Sequence, residues 1–148
     1  MAEHPPTDSA YLSDAELLIK LKATEDPFVE RKTKNDIKDV LKTIVAFANS
    51  TPIGQPAVLF IGATDAGHVE SSLNFDKAQK EVNKALGLIY PDVFTRQRVF
   101  RDSVSGQECL AVLVPGSPER PHFAGPSYVG SFLCKERVCK YQGLAGSV

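Results

Sequence analysis

Cysteine, long apolar runs and an excess of charge of either sign are all scarce in this 148-residue chain. The three cysteines, Cys109, Cys134 and Cys139, cannot all pair within one chain, and their spacing does not fit the paired Cys-x-x-Cys pattern of structural zinc sites. Reduced, structural thiols are the reading that remains. The longest apolar stretches, such as Ala57 to Ala63, fall far short of the roughly 20 residues that a membrane-spanning helix needs, so a transmembrane protein and a membrane partner are excluded. Seventeen Lys+Arg against eighteen Asp+Glu give a net charge of -1. No whole-molecule field attracts polyanions, and any such partner must be held by a local patch. The pattern G-x-x-x-x-G-K-[ST] of a phosphate-cradling loop is missing, which leaves nucleotide binding only a weak third reading. The first dozen residues, MAEHPPTDSAYL, have neither the basic start nor the apolar run of a secretion signal. They read as a flexible lead-in, and the expected location is cytoplasmic.

What is present is an ordinary globular composition, 43% hydrophobic and 24% charged, at a length suited to one domain. Ser13 and Glu16 have the spacing of a capping box before a helix over 14–22, in which Leu17, Leu18 and Leu21 form one stripe. A strand is expected over 28–33. Asn35 is read as the N-cap of a second helix running to Asn49, with Ile37, Val40, Leu41, Ile44, Val45 and Ala48 on one face. The run Ala57 to Ala63 is apolar on both faces and reads as a central strand covered on both sides. Thr64-Asp65-Ala66-Gly67 then makes a hairpin-type turn into a short strand over 68–70. A third helix capped by Asn74 or Asp76 extends to about Leu88, and strands over 93–104 and 107–114 form a hairpin at Ser105-Gly106. One or two more strands are expected over 128–140, with 143–148 frayed. The fold class is α/β (α+β): a mixed, largely antiparallel sheet with helices packed against it.

Three carboxylates stand out as candidate chemistry. Alternation along the 28–32 strand puts Phe28, Glu30 and Lys32 on one face, and Asp65 follows the end of the central strand. If these strands pair, Glu25, Glu30 and Asp65 converge. Oxygen ligands of this kind suit a hard cation, Mg²⁺ or Mn²⁺, which generates a hydroxide nucleophile and stabilises charge on a phosphodiester, and Lys32 would assist electrostatically. The competing reading is a solvated strand face with Glu25 and Asp65 as turn residues. Arg96, Arg98 and Arg101, with Lys135, Arg137 and Lys140, form a candidate nucleic-acid rail, or else guard strand edges against pairing. Tyr90, Phe94, Phe100, Phe123 and Tyr128 are candidates for base stacking or for the core. Asn49 is read as a helix cap, and His68 and His122 as turn residues.

Phe28-Val29-Glu30-Arg31-Lys32, Ile44-Val45-Ala46-Phe47-Ala48-Asn49-Ser50 and Leu59-Phe60-Ile61-Gly62-Ala63-Thr64-Asp65-Ala66-Gly67 together resemble the Schlafen-type AlbA-like domain, formerly the divergent AAA-4 domain. That resemblance places the domain over 13–142. It implies metal-dependent cleavage of structured RNA such as tRNA or rRNA, with Glu25, Glu30 and Asp65 at the family's motif positions. It is equally compatible with a DNA- or RNA-binding module without catalysis. A protein-interaction domain, docking through a sheet edge or pairing as a homodimer, is the further alternative.

Overall fold

The protein is described by a computed structural model over residues 12–124. The strands expected within 128–140, together with Tyr128, Cys134, Lys135, Arg137, Cys139 and Lys140, lie outside the described residues, as do most of the lead-in and the frayed end. Helix α1 (Asp14–Lys22) begins as the sequence predicts. The Ser13 hydroxyl accepts from the Glu16 amide at 3.2 Å, and the Glu16 carboxylate accepts from the Ser13 amide at 2.9 Å. Leu17 and Leu21 are its buried stripe. Strand β1 (Val29–Lys32) follows a turn in which the Asp26 carboxylate accepts from the Phe28 amide at 2.9 Å.

Helix α2 (Val40–Ser50) starts later than the sequence suggests, because Asn35 lies in a turn and Asp39 precedes the first helical residue. Ile37 had extended the apolar pattern backwards. It is buried, but it packs on the core from the turn. Strand β2 (Pro56–Ile61), helix α3 (Phe75–Leu86, capped by the Asn74 side chain on the Lys77 amide), β3 (Ile89–Tyr90), β4 (Arg96–Arg101), β5 (Glu108–Pro115) and β6 (Phe123–Ala124) complete the chain. The return over 68–70 is reduced to one bridge, Ala63 with Val69.

The main sheet has the order β1-β2-β5-β4. β1 runs parallel to β2, and β2–β5 and β5–β4 are antiparallel. Its two faces are clad separately. Ala57, Leu59 and Ile61 of β2, with Leu110, Val112 and Val114 of β5, meet α2 and α3. Val58 and Phe60, with Ala111 and Leu113, meet Leu17 and Leu21 of α1. Phe100 joins this second layer edge-on to Phe60, with ring centroids 6.2 Å apart, and is therefore core. The central strand is covered on both sides, which is why its residues are apolar without alternation. β3 and β6 pair antiparallel as a separate two-stranded ribbon. Among the described residues no helix is long and apolar enough to cross a membrane.

Candidate nucleic-acid interface

The parallel pairing sets Glu30 beside Leu59 and Lys32 beside Ile61. Val29 belongs to the α1 layer, so alternation turns Arg31 to that side and Glu30 and Lys32 to the α2–α3 side. Arg31 closes the end of α1: its Nε donates to the Leu21 carbonyl at 2.8 Å, and its Nη2 donates to the carbonyls of Lys20 and Ala23. Lys32 is only 8% exposed. Its ammonium has no hydrogen-bond or ion-pair partner among the described residues, although its carbonyl accepts from Gly62 and Ala63. Glu30, two residues back on the same face, is exposed.

Beyond β2 the chain reverses through Gly62 (φ +98°) into the turn that carries Asp65. The turn is fastened to α1. The Lys22 ammonium donates to the Gly67 carbonyl at 2.7 Å, and a Cβ on Gly67 would meet the Leu21 carbonyl at 2.8 Å. On the other side, the Glu70 carboxylate accepts from the Lys34 amide at 2.6 Å. Glu25, Asp65 and His68 are all exposed. β1 and β2 thus lie side by side, as convergence of the three acids requires. Among the described residues, however, no three His, Cys, Asp or Glu side chains are grouped to hold a metal ion. As placed, the carboxylates do not fit a shared Mg²⁺ or Mn²⁺.

The arginines fall at the opposite edge. In β4 the residues paired with Leu113 and Ala111 are Arg96 and Arg98, so both face the α1 layer, whereas Arg101 faces the other side. Arg98 holds the entry to α1, donating to the Leu12 carbonyl at 2.7 Å and pairing with Asp14. The Arg96 guanidinium lies 5.9 Å from the centre of the exposed Phe94 ring. Lys32 and this arginine pair therefore occupy different edges and different faces, and no single groove wall joins them.

Sequence reasoning missed the role of His122. It is 2% exposed, with Nδ1 2.7 Å from the Pro91 carbonyl and Nε2 2.6 Å from the Ser117 hydroxyl. Asn49 does not cap its own helix. Its side chain donates to the His122 carbonyl at 3.1 Å and accepts from the His122 amide at 2.7 Å. Arg120 closes the end of α2 instead, donating to the carbonyls of Asn49 and Thr51 at 2.9 and 2.8 Å. Only the motif Ala-Phe-Ala-Asn signalled that Asn49 mattered, and nothing local named its partner.

An open mixed sheet clad on both faces, with a glutamate-x-lysine edge strand and no phosphate loop, defines an AlbA-like α/β module. Residues 25–137 match the family described as Schlafen, AlbA_2, and the chain belongs to that family. The fold is also similar to the N-terminal domain of a protein from Nitrosomonas europaea described as related to the ATP-dependent DNA helicase RecG, solved in solution by NMR. The identity is 22% and the TM-score 0.60, over 77% of this chain and 81% of that one. No curated protein matches the sequence.

Proposed function

We propose that this domain binds nucleic acid and that Lys32 contacts the phosphate backbone. The observation that carries this reading is the Lys32 ammonium, nearly buried and without an acid or carbonyl to satisfy it among the described residues. Buried charges are ordinarily paired, because desolvation is costly. A phosphate oxygen arriving at the ends of β1 and β2 supplies the missing partner, and the strand holds the lysine stem ready for it. Membership of the Schlafen AlbA_2 family supports the reading, and so does the helicase-related name of the Nitrosomonas europaea protein.

The test is fluorescence anisotropy of labelled hairpin RNA and duplex DNA titrated at several salt concentrations. Salt-sensitive binding is expected. Lys32→Ala should weaken it on every sequence and make the log–log salt slope shallower by about one. Unaltered binding by the variant removes Lys32 from the interface, and no binding by the parent protein removes the reading.

Hydrolysis of structured RNA is the finer form of this proposal, supported by Glu25, Glu30 and Asp65 standing at the family's motif positions. Their exposed, ungrouped placement gives no ligand set through which a hydrolytic step can be written. Incubation of folded RNA with Mg²⁺ or Mn²⁺ and the parent protein, Glu30→Ala or Asp65→Ala decides it. Cleavage that both substitutions abolish establishes the nuclease, and binding without cleavage leaves a binding module.

A further inference from the structure

The β3–β6 ribbon has only two residue pairs, and they divide cleanly. Ile89 and Ala124 are partners and turn to the α2–α3 core, and Tyr90 and Phe123 are partners on the other side. Directly opposed residues of an antiparallel pair share a face, with Cβ atoms about 5 Å apart. Two large rings therefore stand next to one another on the surface, Tyr90 64% and Phe123 45% exposed. So short a ribbon is not stable alone. Here it is clamped: the residue before Phe123 is His122, whose backbone is held twice by Asn49 and whose ring bonds the Pro91 carbonyl and the Ser117 hydroxyl. Pro91 directly follows Tyr90. Both aromatic strands are thus fixed by one buried histidine, and the rings they present are preorganised.

A third ring, Phe94, is 60% exposed with the Arg96 guanidinium 5.9 Å from its centre. Four residues separate it from Tyr90, so their Cα atoms are at most about 14 Å apart. Adjacent flat rings beside a guanidinium suit one chemistry in particular: unpaired nucleobases stack on the rings while phosphate meets the cation. Between Ile89 and Arg98 the only acid is Asp92, against Arg96 and Arg98. We infer that Tyr90 and Phe123, with Phe94 and Arg96 beside them, form a stacking platform for unpaired bases. The inference rests on the nucleic-acid reading but uses a different surface. The ribbon adjoins the finish of β5, and Lys32 adjoins the finish of the antiparallel β2, so the two lie at opposite ends of the sheet. A ligand touching both is a length of nucleic acid with a duplex part and an unpaired part.

The chain has no tryptophan, so Tyr90→Trp supplies a single reporter. A short single-stranded oligonucleotide should quench and shift its emission, and the blunt duplex of the same sequence should not. In anisotropy titrations Tyr90→Ala should weaken single-strand binding between about fivefold and a hundredfold. It should leave duplex binding and the salt slope within twofold. Lys32→Ala, in contrast, should weaken both ligands. Equal weakening of both ligands by Tyr90→Ala overturns the platform alone. So does an emission already shifted and indifferent to the oligonucleotide, which means that another part of the chain covers the rings. Absence of binding to either ligand by the parent protein overturns the platform and the nucleic-acid reading together.

Discussion

Cys109 shows how a residue's surroundings set its chemistry. Burial against Phe100 and Ala111 in the α1 layer pushes its thiol up to about 12, and the nearby Asp102 charge adds to the shift. The folded chain therefore keeps this proton at alkaline pH while the unfolded chain releases it near the ordinary thiol value of about 8.5. The corresponding stability is fully present below that value and drains away as pH climbs from there towards 12. Iodoacetamide should modify Cys109 no faster than the protein unfolds, as read by peptide mass after quenching. Rapid labelling under native conditions would contradict the burial. Lys32 and Glu30 were legible as neighbours on one face because strand alternation is local. The partners of Arg98 and His122 were not, because Leu12 and Pro91 are distant in the chain and no residue-type pattern announces a carbonyl.

Helices whose ends are fixed by adjacent residues were readable, and those fixed from afar were not. α1 carries its own N-terminal cap in Ser13 and Glu16, and its bounds match the expectation. That cap holds the Glu16 carboxyl below its usual range, chiefly through the Ser13 backbone bond, so its help is present at neutral pH and lost as acid protonates it. The other end of α1 depends on Arg31, about ten residues away in sequence. Arg31→Met keeps an apolar stem but leaves the Leu21 and Ala23 carbonyls without it, at a cost of about 1–3 kcal/mol. Hydrogen exchange should show the last turn of α1 opening while α2 amides keep their protection. Loss of protection throughout would mean that Arg31 holds more than this helix. The ribbon of β3 and β6 went unseen because two residues carry no period, and its strands are joined only through β4 and β5. α2 was placed too early because a buried turn residue, Ile37, mimics a helical position.

The molecule as a whole follows from one arrangement: a central β2–β5 pair with α1 on one face and α2 and α3 on the other. The sheet, the two-sided apolar strand and the family were all legible, since each rests on runs of contiguous residues. The distribution of basic groups over opposite edges was not, since it depends on strand order. The pairing of β2 with β5 also spans the whole of α3, β3 and β4, so the innermost seam joins segments far apart in the chain. Non-local pairing of this kind is slow to form and leaves apolar strands uncovered while it waits. During synthesis, β2 emerges from the ribosome well ahead of the strand that seals it. A nascent chain stalled before Glu108 should bind a chaperone that recognises extended apolar segments, and one stalled beyond Ala124 with enough linker to clear the exit tunnel should release it.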